Sequence, residues 1–284
     1  MRAFKIAAAT LLIVALPLSA QMTGGTGPTN MMSREILAPA AGRGAGGAGS
    51  FWYTDLWLKS AAGSTVTLEF HSNDSAADAA TASAVVTMSS PVMYLADVLK
   101  NNLGLDQGFG NIVVRGTSPV SATVRAFTND GAGSYGSAFM AMPTSMAMQG
   151  SGGTMMRNDQ YQLYVNGLLP APRARVNAMV TNSGSVPISG TVEVVDADGQ
   201  PALGGTTSFA FSLRAYSSHQ FGDILNGLGS RYGDGSGLQL RLRLNDGSTG
   251  MVMMLASVVD NVTNDTYTVM GSMMNGGTGG GMMP

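Results

Sequence analysis

Residues 238–261 constrain the fold most tightly. Leu238, Leu240, Leu242 and Leu244 alternate with Gln239, Arg241 and Arg243. A period of two puts apolar side chains on one face and polar ones on the other, as in a half-buried strand. Asn245-Asp246-Gly247 follows as a turn in which glycine takes a positive φ without steric cost. The apolar run 251–259 then returns, so the segment predicts a hairpin that closes a β-sandwich. Residues 112–129 (IVVRGTSPVSATVRAFTN) have the same strand–turn–strand outline.

The rest of the chain repeats this pairing. Thr65, Thr67 and Glu69 alternate with Val66, Leu68 and Phe70. Residues 51–59 and 82–88 read as further strands, as do 161–165, 174–181, 190–195 and 208–213. Leu95, Val98 and Leu99 change the period to that of a helix, with Gly104 behind as a C-cap. Phe221, Ile224, Leu225 and Leu228, with Gly229 behind, do the same. Asp97-Val98-Leu99 therefore matches Asp223-Ile224-Leu225, and Asn129 and Tyr135 match Asn261 and Tyr267. Asn177 falls where the first copy has Asp55. Two copies of one module account for most of the chain. Short strands at regular spacing with turns between them predict an all-β protein of two tandem antiparallel sandwiches, each with one short crossover helix.

The flanks are of different composition. Arg2 and Lys5 precede an uncharged apolar stretch over 6–16, too short for a membrane helix, and Ala20 is a small residue at a cleavage point. Residues 1–20 read as a signal peptide and 21–34 as a disordered segment. The first module takes 35–140, a Met/Gly-rich linker 141–156, the second module 157–271, and a Gly/Met-rich tail 272–284. Pro39 makes 35–41 an edge strand, and the glycines over 42–49 make a flexible loop. That loop is no phosphate cradle, because Phe51-Trp52-Tyr53 opens a strand and not a helix.

Net charge is −2 and charged residues make up only 11%, against about 25% in an average globular protein. Such a chain offers no basic field for nucleic acid. It fits an exported protein, secreted or held at the cell surface or in the periplasm, with no membrane span once the signal is removed. The chain has no cysteine, so neither a disulfide nor a thiolate nucleophile is available.

Residues 53–58 (YTDLWL), 97–99, Ser134-Tyr135-Gly136 and 256–265 together resemble the tandem Ig-like modules of secreted and surface bacterial proteins. That resemblance implies a β-sandwich fold and an extracellular location, and implies no chemistry.

Catalysis finds little support in the residues. The only histidines are His71 and His219, read as surface or edge residues. Neither a nucleophile elbow nor a His-Glu-x-x-His motif occurs. Asp97 and Asp223 are expected to bond backbone N–H groups at their turns. Asp196-Ala197-Asp198-Gly199 starts like a calcium loop but lacks the later glutamate, and Asp-Gly marks a hairpin there. The expected role is structural or adhesive, with a surface polymer, a carbohydrate or other surface proteins as partner, and without enzymatic activity. Two alternatives involve particular residues. Trp52 and Trp57 lie on one strand and face opposite sides, one core and one free for carbohydrate. Met140, Met142, Met146 and Met148, with Met155 and Met156, put thioethers on flexible chain that could wrap Cu(I), a soft cation. Compositional drift and sacrificial oxidation are the competing explanations for these methionines.

Overall fold

The computed structural model describes residues 31–46, 49–129, 134–150, 161–168, 174–226, 228, 237–261 and 266–275. The signal peptide, most of the segment 21–34, Met155, Met156 and the end of the tail lie outside these residues. The fold is all-β with antiparallel sheets. Among the described residues no helix is long and apolar enough to cross a membrane.

The first half is a sheet of eight strands bent over on itself. Its main path runs β4 (Ala82–Thr87), β3 (Thr65–Ser72), β6 (Gly108–Asn129), β1 (Ser33–Ala45), β2 (Phe51–Lys59), β5 (Val92–Leu95). Strand β7 (Ser134–Met140) adds to β6, and β8 (Met142–Pro143) adds to β1. The 22-residue β6 belongs to both layers. Its first part pairs with β1 and β3, for example Val114 with Ile36 and Leu68. Its second part pairs with β2 and β7, for example Val124 with Leu56 and Phe139. Alternation does what the sequence requires: Val66, Leu68 and Phe70 are fully buried. They pack with Ile36, Leu56, Leu58, Ile112, Val124 and Leu99 in one apolar cluster.

The second half has two five-stranded sheets. One runs β13 (Ser208–Leu213), β12 (Ile188–Val195), β15 (Gln239–Leu244), β10 (Tyr161–Val165), β18 (Ser272–Asn275). The other runs β14 (Ser218–Phe221), β11 (Ala174–Asn182), β16 (Met251–Asp260), β17 (Thr266–Met270), with β9 (Met148–Gln149) also on β16. A second cluster, including Val176, Leu225, Leu240, Leu242 and Met254, fills the space between them.

Several expectations are corrected. Strands β15 and β16 do not form a hairpin, because they lie in different sheets. Leu242 pairs with Leu163 and Val192, whereas Met254 pairs with Val180. The turn between them, with Gly247 at φ 81, carries the chain from one layer to the other. Residues 112–129 make the same passage as a single bent strand, with no hairpin at all. Both segments turn a sandwich corner, which period-two patterning cannot tell from a hairpin. Strand β1 is not an edge: it lies between β6 and β2, and Pro39 is accommodated where its register with β6 shifts, between Ala38 and Ala41. Nor does β1 stop at the glycines, since Gly42 and Gly44 are part of it. A Cβ on Gly42 would lie 2.5 Å from the Phe109 ring, so glycine here makes room for an aromatic neighbour.

The crossover in the first half is α1 (Val98–Asn101), closed by Gly104 at φ 71. Its counterpart in the second half is a series of turns that bury Ile224, Leu225 and Leu228. Residues 142–149 are not free chain. They comprise β8, a 3-10 turn over Thr144–Met146, and β9, so each half contributes a strand partner. The tail begins with β18, paired to β10.

The halves meet through an apolar patch of Leu37, Val113, Ala147 and Met253. Around it, Asn111 donates to Tyr216 O (2.8 Å) and Ser218 Oγ (3.2 Å), and Ser218 Oγ donates to Asn73 Oδ1 (2.8 Å). Both histidines belong to this junction; His71 is buried, contrary to the surface or edge reading, whereas His219 lies on β14, an edge strand, as that reading has it. His71 is 2% exposed and lies against Tyr216, with ring centroids 5.4 Å apart. His219 Nδ1 lies 2.5 Å from Asp74 Oδ1.

Candidate functional site

Two surfaces stand out, one in each half, and they occupy matching positions. On β2, β5, β6 and β7 the cross-strand partners form rows. Trp57 pairs with Tyr94 and Thr123, and Thr123 pairs with Met140. Asp55 pairs with Arg125, and Tyr53 with Phe127. Directly opposed residues point the same way, so these side chains share the outer face of the sheet. The result is an aromatic strip. Trp57 and Tyr94 lie 4.8 Å apart, Tyr53 and Phe127 5.6 Å, and Phe51 and Tyr53 5.1 Å. Arg43 lies over Phe51 and Tyr53, and Arg125 over Phe127 at 4.3 Å. Tyr94 is 51% exposed and Met140 42%, so the face is open to solvent.

A buried acid supports this strip. Asp55 is 3% exposed; its Oδ2 accepts from the Tyr94 hydroxyl (2.9 Å) and its Oδ1 from the Asp97 amide (2.9 Å). The hydrogen bond to Asp55, then burial and the nearby negative charge, raise the Tyr94 phenol above its ordinary pKa. Asp97 sits at φ 42, a left-handed conformation that Asp tolerates better than most residues. It does not cap the turn through its side chain as expected. Its carboxylate pairs with Arg43 at 3.0 Å instead.

Strands β11, β14, β16 and β17 repeat this frame position for position. Met179 pairs with Gln220 and Leu255, Asn177 with Ser257, Arg175 with Val259, and Leu255 with Met270. Asp223 sits at φ 41 and its amide donates to Asn177 Oδ1 (3.0 Å). The side chains on the matched face differ. Met179 replaces Trp57, Gln220 replaces Tyr94, Arg175 replaces Tyr53 and Val259 replaces Phe127. This face is roofed by the first half, leaving a cleft of about 560 Å³. Ala40, Ala41, Gly42, Trp52 and Phe109 form one wall, and Arg175, Asn177, Gln220, Asp223 and Ser257 supply the polar groups of the other.

The two tryptophans do face opposite sides, but neither is core. Both are half-buried: Trp57 on the open strip and Trp52 in the cleft. Tyr53 and Phe51 cluster with the tryptophans on one strand, whereas Tyr94, Phe127 and the two arginines were not singled out from the sequence. Extending the period from Trp57 across paired strands would have found them, had the pairing of β6 with β2 been known.

The methionines are not gathered on flexible chain. Met140 lies on the open strip, its sulfur accepting from the Thr123 hydroxyl at 3.4 Å. Met142 packs on the patch between the halves, Met146 lies in the 3-10 turn, and Met148 is 2% exposed in the core of the second half. Gathering all four sulfurs round one ion requires pulling Met148 out of that core. Among the described residues no group of three or more His, Asp or Glu is placed to hold a metal. Asp196 Oδ1 accepts from the amides of Asp198 and Gln200, closing a tight turn with Gly199 at φ 74.

Gly136 belongs to the open strip, opposite Phe127. A Cβ there would lie 2.2 Å from Ala126 O and 2.5 Å from Phe127 Cα. Gly136→Ala is therefore expected to displace β7 and to cost about 1–2 kcal/mol, read as a lower urea midpoint. An unchanged midpoint would show that β7 yields freely.

No family model matches this chain, and no curated protein matches it. Two solved structures do. One, from Parabacteroides distasonis, is described as a secreted protein; it is 10% identical, with a TM-score of 0.21, over 87% of this chain and 93% of that one. The other is the apo form of a Pleurotus ostreatus lectin, 8% identical, with a TM-score of 0.21, over 87% of this chain and 78% of that one. Both likenesses are too slight to bear on function.

Proposed function

We propose that this chain is an exported, non-catalytic binding protein of two tandem Ig-like modules, and that its first module holds a carbohydrate polymer against the strip centred on Trp57 and Tyr94. The observation that carries this reading is the contrast between the matched faces. Beneath the other half the matched positions hold Met179 and Val259, both buried, where the open face has Trp57 and Phe127 with Tyr94 beside them. An open face lined with large rings is costly in water and aggregation-prone unless something covers it. The C–H face of a sugar ring packs on an aromatic ring with its hydroxyls still in contact with water or polar side chains. Arg43, Arg125 and the Tyr94 hydroxyl border the rings and supply those polar contacts. The low charge and the short apolar segment over 6–16 support export.

The test is retention of the mature protein on a panel of insoluble polysaccharides, with Trp57→Ala alongside. At least one polymer should retain the wild type. Trp57→Ala should bind it at least tenfold more weakly, about 1.4 kcal/mol, with an unchanged circular dichroism spectrum. Equal retention of the two proteins, or none of either, overturns the reading.

A further inference from the structure

The cleft between the halves is a second site, separate from the open strip. Its volume of about 560 Å³ is within the ~300–1,000 Å³ usual for small-molecule pockets. Its decisive feature is Asp223. The same residue occurs in the same left-handed conformation in both halves, its amide held by the same neighbour, Asp55 or Asn177. In the first half the carboxylate is neutralised by Arg43. In the second half Asp223 lines the cleft, and among the described residues its Oδ1 is buried with no hydrogen-bond partner. The Asp223 carboxylate thus stands at the cleft wall without the arginine that neutralises its counterpart, and a buried polar oxygen left unpaired is costly; a ligand hydroxyl in the cleft can donate to the carboxylate.

The surrounding groups define the ligand. Asn177 Oδ1 is taken by the Asp223 amide, so its Nδ2 is the group left to face outward. Ser257, Gln220 and Arg175 add hydroxyl, amide and guanidinium groups on the same wall. One carboxylate and one guanidinium balance, so the wall favours neither an anion nor a cation. The facing wall is apolar and has two rings: Trp52 and Phe109, the latter 37% exposed. Mixed donors and acceptors opposite aromatic rings suit a neutral polyol with one apolar face.

We propose that this cleft binds a soluble saccharide unit, stacked on Trp52 and Phe109, with one of its hydroxyls donating a hydrogen bond to the Asp223 carboxylate. It is a site for a short oligosaccharide or chain end, whereas the strip around Trp57 suits the side of a polymer.

The chain has two tryptophans, and this makes the test selective. In Trp57→Phe, Trp52 is the only indole, and its fluorescence reports the cleft. Titration with a panel of neutral oligosaccharides should give a saturable change. Asp223→Asn on that background retains tolerance of the left-handed backbone and removes the charge. It should weaken binding about tenfold, because hydrogen bonds to an ionised acceptor are the stronger ones. A silent Trp52 across the panel overturns the proposal, as does an affinity unchanged by Asp223→Asn. A stronger response to a simple amine than to any saccharide overturns it as well. Because the signal is read without Trp57, loss of polymer retention in Trp57→Ala leaves this result unaffected.

Discussion

Asp55→Ala is expected to cost the first half about 2 kcal/mol. Two donors, the Tyr94 hydroxyl and the Asp97 amide, converge on this buried carboxylate. Removing it leaves the Asp97 amide without its charged acceptor, at about 1–3 kcal/mol, whereas the Tyr94 hydroxyl, on a side chain 51% exposed, turns to water. The partner position predicts a smaller effect. Asn177 is a neutral acceptor, and the Asp223 amide donates to it, so Asn177→Ala should cost about 1 kcal/mol. Urea unfolding of both variants measures the difference. Asp55→Asn adds a readout that mere destabilisation would not move. With the charge gone, the Tyr94 phenol should titrate closer to its ordinary range, seen by ultraviolet absorbance. If Asp55→Ala and Asn177→Ala cost the same, or the Tyr94 titration stays where it was, the supporting role of Asp55 is refuted.

The junction between the halves is expected to weaken in acid through His71. Burial lowers the pKa of this ring below its ordinary 6.5; Glu69 opposes the shift and Arg115 adds to it. Glu69 Oε2 lies 3.9 Å from His71 Nε2, too far for a hydrogen bond, and both ring nitrogens are buried without partners. Glu69 is itself engaged by Arg115, which also binds Glu35 at 2.8 Å and lies over the Tyr216 ring. The sign follows from where protons bind. As pH falls below about 6.5 the unfolded chain takes up a proton on His71 and the folded one does not. Stability is therefore full above that pH and declines below it, until the folded pKa is reached. The slope from this one group is at most about 1.4 kcal/mol per pH unit. Urea midpoints between pH 7.5 and 5 test this, with His71→Gln as the comparison. The variant should show a flatter profile, and a profile as steep as wild type would remove His71 as the cause.

Fold class and strand positions were legible because alternation is a local property. Val66, Leu68 and Phe70 alternate with polar residues and are buried as the pattern requires. The match of Asp97 to Asp223 and of Asp55 to Asn177 was also visible, and the structure gives each pair the same hydrogen bond. Layer assignment was not legible. A run of alternating residues, a turn and a second run look alike whether the second run folds back or crosses to the other sheet. For the same reason Met148 read as linker: two residues on β9 are too few to show a period, yet Val252 and Met251 pair with them. The site was legible in part. Trp52 and Trp57 were found by residue type, but their companions come from strands far apart in sequence. The cleft depends on how one half sits on the other, which no local pattern encodes. Asp97 and Asp223 were recognised as turn residues, but their carboxylates could be told apart only by finding Arg43 beside one of them.

The position of β1 also bears on the order in which the chain can assemble. Its partners are β2, which follows at once, and β6 and β8, which come much later in the sequence. A chain emerging from its N-terminus must therefore keep Ile36, Leu37 and Ala38 without their ladder until β6 has appeared. Closing so long a loop is slow compared with forming a local hairpin. The first half thus remains open through most of its own synthesis and closes late, when a single strand, β6, completes both layers together.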